Sequence, residues 1–193
     1  MPDVHIENPI LNSPFEEPRW HFRFNEDGIT DEIVEGRRRS TYIVPIPPPR
    51  GRGKQLVLPT LQEMPRENEF VDRLRERVQQ WRMGGYRYAT ATTRKLLDYW
   101  HDEERENKFF FCQLEALDTA IYIVEAARHF GDDVEDRLRE RNKEFNAELF
   151  RIAFKMATGS GKTVVMAMLI TWQVLNKRAN QRDTRFTDRF LIV

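Results

Sequence analysis

Phe154-Lys155-Met156-Ala157-Thr158-Gly159-Ser160-Gly161-Lys162-Thr163 is the stretch on which the reading of this chain turns. An apolar run from Leu149 to Phe154, interrupted by Arg151, leads into a loop of small residues, and the apolar segment Val164 to Leu175 follows at once. That order predicts strand, phosphate-binding loop and helix. Gly159 and Gly161 leave room for backbone N–H groups to close on phosphate oxygens, and the first helical turn adds unpaired donors and the positive end of its dipole. Lys162 is placed to reach β- and γ-phosphates as a point charge, and the Thr163 hydroxyl to sit on a Mg²⁺ that bridges them. Thr158, Gly159, Ser160, Gly161, Lys162 and Thr163 therefore form the expected cradle. Met156 stands where the general motif begins with glycine, while the core of the loop is intact.

Composition bounds the rest. The 193 residues carry 31 basic and 31 acidic side chains, so no net basic field draws the chain to nucleic acid, and any such contact must come from local clusters. Arg37-Arg38-Arg39 and Arg50-Gly51-Arg52-Gly53-Lys54 are the candidates. The length suits one domain, or one and a part. A single cysteine, Cys112, excludes an intramolecular disulfide and a cysteine-cage metal site, and fits a reducing compartment, by default the cytoplasm. The N-terminus has no basic region followed by an apolar one, and no run approaches the length of a membrane span, so neither export nor a membrane helix is expected.

Residues 1–60 are rich in proline and turn residues. Trp20-His21-Phe22-Arg23-Phe24 alternates with three aromatics on one face, and Ser40 to Ile46 reads as a second strand running into Pro47-Pro48-Pro49, so a small β-rich region is expected. Arg50-Gly51-Arg52 is compatible with a minor-groove hook or, more simply, with a solvated linker. Residues 61–108 read as helical. Pro65 is expected to open a helix with Phe70, Leu74, Val78 and Trp81 on one stripe, stopped by Gly84-Gly85. A second helix starts near Thr92-Thr93, with Leu96, Leu97 and Trp100 as its apolar side. Tyr86-Arg87-Tyr88 between them suits core packing or stacking on bases.

Residues 109–193 begin with Phe109-Phe110-Phe111-Cys112-Gln113 and a helix bearing Leu114, Leu117, Ile121 and Val124, closed by Gly131. Asp132 to Glu148 is charged throughout, with Val134, Leu138 and Phe145 too sparse for deep burial, and reads as a surface helix. Past the phosphate loop and its helix, a polar loop leads to Arg189-Phe190-Leu191-Ile192-Val193, which reads as a buried parallel strand.

An aromatic-led Gln, a helix, a strand, Met-Ala-Thr-Gly-Ser-Gly-Lys-Thr, a helix and a Phe-Leu-Ile-Val strand together resemble the opening of the first motor domain of superfamily two DEAD/DEAH-box helicases, and most nearly the res subunit of type III restriction enzymes. Asn12-Ser13-Pro14-Phe15-Glu16-Glu17-Pro18, His21 to Phe24, Gly28-Ile29-Thr30 and Glu35 to Arg38 resemble the N-terminal region of such subunits. The resemblance implies an α/β RecA-like motor domain with parallel strands, ATP and Mg²⁺ as ligands, duplex DNA as partner of the full-length enzyme, and a modification subunit. It implies that Gln113 reads the adenine edge, a task suited to an amide because it offers both a donor and an acceptor. The alternative for Gln113 is an exposed polar residue at a helix start.

A helicase ATPase also needs an acidic strand-end motif and arginines from a second motor domain. After Thr163 the only carboxylates are Asp183 and Asp188, both in a polar loop. The chain is therefore expected to be the N-terminal part of a larger enzyme and inactive as a nuclease or ATPase alone, with Val164, Val165, Met168, Leu169 and Trp172 awaiting a partner layer. Two other classes fit parts of the sequence: another superfamily two helicase, acting on RNA or in DNA repair, and a non-catalytic DNA-binding or adaptor module built on the first 60 residues.

Overall fold

Apolar residues alternating with polar ones form two strands, β1 (Trp20–Asn25) and β2 (Gly28–Glu35), paired antiparallel with Phe22 opposite Ile33 and Phe24 opposite Ile29. The computed structural model describes residues 6–25, 28–46, 62–145 and 150–192. A second antiparallel pair joins β3 (Thr41–Ile46) to β4 (Gln62–Glu67), with Ile43 opposite Pro65. Pro65 thus lies in a strand and does not open a helix. Helix α1 (Glu69–Met83) starts four residues later, where the Asn68 side chain accepts the Val71 N–H at 3.3 Å and Glu69 and Asp72 face the positive end of the dipole. The proline run 47–49 and the Arg50–Lys54 cluster lie outside the described residues.

Helix α1 ends at Gly84, and α2 (Ala91–Trp100) begins behind Thr90, whose hydroxyl accepts the Thr93 N–H at 3.0 Å. Helix α3 (Phe111–Ile121) runs on through a π-helical turn, Tyr122–Ala126, and a 3₁₀ turn, Ala127–Phe130, and is stopped by left-handed Gly131 at φ 69°. Helix α4 (Val134–Phe145) is the charged surface helix, with Phe145 exposed. Its first residue departs from expectation: Val134 is 1% exposed, because its N–H is tied to Asp132 Oδ1 at 3.1 Å and the first turn is drawn into the core. Helix α5 (Lys162–Ala179) follows the phosphate loop.

One core joins α1, α2, α3 and α5 through Val78, Trp81, Leu97, Leu117, Met168 and Trp172. This corrects two expectations. Met168 and Trp172 already have a partner layer, made of helices, Val165 is buried, and of the apolar positions named on α5 only Val164 is exposed. The parallel strands are not formed among the described residues. Residues 150–157 alternate between half-buried and exposed positions as an extended chain does, but among the described residues no strand pairs with them, and Phe190, Leu191 and Ile192 are likewise exposed. Both sheets are two-stranded and antiparallel. No helix among the described residues is long and apolar enough to cross a membrane.

Candidate nucleotide-binding site

The phosphate loop closes on itself through small residues. The Ser160 N–H and hydroxyl both donate to Ala157 O, at 3.4 and 2.7 Å, and the Lys162 ammonium reaches the same carbonyl at 2.7 Å. Gly159 and Gly161 adopt φ 78° and 76°, the left-handed region in which a side chain costs about 1–2 kcal/mol. Left-handed residues at alternate positions are the backbone of an anion-binding concavity. Met156 has no positive φ, so the loop does not require glycine there.

No side chain caps the start of α5. The N–H groups of Lys162 and Thr163 take no acceptor among the described residues, and neither does the Thr163 hydroxyl. A helix start with free amides, a lysine beside it and no carboxylate bonded to it fits a polyphosphate. Thr158, Gly159 and Thr163 are exposed, and Ser160 and Gly161 are half-buried. The cradle is therefore open on one side.

Gln113 is brought against this loop. It is 5% exposed, which removes the reading of an exposed helix-start residue. Its Oε1 accepts the Phe110 N–H at 3.0 Å, holding the uncapped start of α3, and its Nε2 donates to Ser160 O at 3.0 Å. One N–H of Nε2 and one lone pair of Oε1 stay uncommitted. Nothing in the spacing of 113 and 160 announced this contact, because it depends on how α3 packs against α5. Cys112, next to it, is exposed, and partial burial pushes its thiol pKa up, against the pull of the amides at the helix start.

Two polar networks hold the site from behind. Glu125, 2% exposed in the π turn, accepts Thr90 N–H at 2.7 Å, the Thr93 hydroxyl at 2.6 Å and Trp172 Nε1–H at 2.7 Å. Asn176, also fully buried, donates to Thr93 Oγ1 and Trp172 O, both at 2.9 Å, and accepts the Thr90 hydroxyl. Together they fix α5 to α2 and to the π turn. On the other side Arg37 forks onto Glu115 of α3, with Nη2 to Oε2 at 2.6 Å, and approaches Glu17 at 3.6 Å. Glu125 and Asn176 look in sequence like ordinary helix-surface residues, and only their helical phase relative to Leu117 and Trp172 hints that they point inward.

The basic cluster at 37–39 is not free. Arg37 and Arg39 are ion-paired and Arg38 lies over the Phe24 ring at 3.9 Å. Asp183 stays in its loop, bonded to Arg185, which holds its carboxyl below the usual range. It is not placed at a strand end.

Loop, lysine and free helix amides have the form of a phosphate-binding loop. Residues 112–193 match the family described as type III restriction enzyme, res subunit, over a little more than two-fifths of the chain. The matched segment holds Gln113, the phosphate loop and α5, and the resemblance drawn from the sequence stands over that span. It carries with it a phosphate-loop helicase fold. Comparison with curated proteins gave no match, and comparison with solved structures gave none.

Proposed function

We propose that residues 109–193 form the ATP-binding opening of a helicase-type motor belonging to a restriction system, in which ATP hydrolysis moves the full-length enzyme on duplex DNA in the cytoplasm. The family match over residues 112–193 supports the class, and the observation that carries ATP binding is the phosphate loop: two left-handed glycines, Lys162 at the loop, and the unaccepted N–H groups of Lys162 and Thr163. In this reading those amides and Lys162 hold the phosphates. The Thr163 hydroxyl is the chain's ligand for Mg²⁺, which when bound neutralises phosphate charge.

Gln113 reads the base. Its uncommitted N–H and lone pair are the donor and acceptor that adenine N7 and N6 need, and its second bond to Ser160 O ties base reading to the phosphate loop. The test is binding of Mg²⁺-ATP and Mg²⁺-GTP by the purified chain, by calorimetry, with Lys162→Ala and Gln113→Ala beside the wild type. ATP is expected to bind with preference over GTP, Lys162→Ala to lose both, and Gln113→Ala to lose the preference. Equal binding by wild type and Lys162→Ala would overturn the assignment. The chain alone is expected to turn over ATP negligibly and not to cleave DNA, and DNA-stimulated hydrolysis by residues 1–193 would refute that.

A further inference from the structure

A cavity of about 350 Å³ opens on the side of the molecule formed by α1 and the end of the α3 segment, lined by Arg77, Trp81, Arg87, Tyr122, Phe130 and Asp132. None of these residues belongs to the phosphate loop or its supports. Its floor is aromatic: Trp81 and Tyr122 meet edge to face at 5.6 Å, and Phe130 stacks over Tyr122 at 6.3 Å with nearly half its surface exposed at the mouth. Beside the mouth, Tyr88 is stacked on His129 at 4.7 Å and meets Phe130 edge-on at 5.1 Å. The polar wall is fixed. Asp132 accepts Arg77, the Tyr122 hydroxyl at 2.9 Å and the Val134 N–H, so its charge is fully engaged.

Arg87 differs from Arg77. It is exposed, makes no ion pair among the described residues, and lies over the Tyr88 ring at 5.5 Å. The backbone that carries it is held in an unusual form. Tyr86 and Tyr88, on either side, have φ 56° and 70°, a region non-glycine residues rarely enter, and the opposite wall is the π turn bearing Tyr122. A Trp81 Nε1–H bond to Arg87 O at 2.7 Å locks the loop against α1. Strain of this kind survives only where the surroundings over-determine it, and it gathers at binding sites.

We propose that this cavity takes one nucleotide of an unpaired nucleic-acid strand, with the base against Phe130 and the phosphodiester at Arg87. An exposed ring supplies a stacking face that any base can use, and a guanidinium beside an aromatic ring tracks the backbone. Among the described residues that line the cavity, Arg87 is the one cation without an ion pair, which matches the single charge of a phosphodiester, whereas a nucleoside monophosphate brings about two charges toward the Asp132 side. A base inside a duplex is covered on both faces and cannot reach Phe130. The site is separate from the proposed ATP site and does not depend on it.

The experiment is fluorescence anisotropy of a labelled mixed-sequence single strand with residues 1–193 at fixed moderate salt, with unlabelled duplex and a nucleoside monophosphate as competitors. Arg87→Glu and Phe130→Ala are the variants, both at exposed positions, with circular dichroism as the check on folding. Each is expected to weaken strand binding by about tenfold, duplex and monophosphate to compete about tenfold less well than strand, and Arg87→Glu to bind Mg²⁺-ATP as the wild type does. Undiminished strand binding in Arg87→Glu would overturn the proposal. So would equal competition by duplex or by the monophosphate.

Discussion

Gly161→Ala tests the contact between Gln113 and the phosphate loop. At φ +76° any side chain costs about 1–2 kcal/mol. A Cβ there also overlaps Gln113 Nε2 and lies 3.5 Å from Gln113 Cδ, so the amide must swing away. That breaks its bonds to Ser160 O and to the Phe110 N–H, at about 1 kcal/mol each. We predict a total of about 3–4 kcal/mol in urea unfolding. Gly159→Ala is the control, since its φ of +78° is the same but its Cβ meets nothing within 4 Å, and it should cost only about 1–2 kcal/mol. In a Gln113→Ala background the overlap is gone, and Gly161→Ala should fall to the cost of Gly159→Ala. Hydrogen exchange of the Phe110 amide reads the same event locally, and should speed up in Gly161→Ala but not in Gly159→Ala. Equal costs for the two glycines, or a Gly161→Ala cost undiminished in the double variant, would refute the argument.

Three further outcomes are expected. Glu125→Ala leaves the Thr90 N–H and the Thr93 hydroxyl without their acceptor and the Trp172 indole N–H with only its 3.1 Å contact to Thr93 Oγ1, and should cost about 3 kcal/mol by denaturant unfolding, while Glu125→Gln should cost clearly less because one amide oxygen remains. Arg37→Ala breaks a partly buried fork to Glu115 and should cost about 1–3 kcal/mol, seen as faster hydrogen exchange at the start of α3; unchanged exchange there would count against it. Burial raises the Cys112 pKa, so the thiolate appears only at higher pH, and the pH midpoint of its alkylation by iodoacetamide should lie above that of a free cysteine peptide. A midpoint at or below the peptide's would contradict that environment.

The geometry of the candidate site was largely legible because it is local. A phosphate loop is fixed by residues that are neighbours in sequence, and the left-handed glycines, Lys162 and the start of α5 fall where the motif places them. Helix stripes were legible for the same reason: Leu97 and Trp100 on α2, and Leu117 and Ile121 on α3, are buried as their spacing requires. What the sequence hid is non-local. Pro65 reads as a helix opener until β3 is seen to claim residues 62–67, and no local rule ranks a long-range strand pair against a helix start. The run before the phosphate loop has strand composition, but a strand needs a neighbour, and none among the described residues pairs with it. Tyr86-Arg87-Tyr88 divides where its sequence does not: Tyr86 packs on Trp81 at 5.0 Å, while Tyr88 is exposed.

The elements ahead of the phosphate loop do more than precede it. Arg37, just past β2, grips Glu115; two residues earlier on the same helix Gln113 grips Ser160; and from the other side Thr90 and Thr93 of the α2 start hold Asn176 and Trp172 of α5. The loop is thus held at Ser160 by α3, and the helix behind it is held by α2 and the π turn. A glycine loop alone has little to keep its amides in place, because glycine gives up more conformational freedom on ordering than any other residue. Here that ordering is imposed by contacts outside the loop, which is why a change at Arg37 or Glu125, neither of which touches the loop, should be felt in the geometry of the cradle.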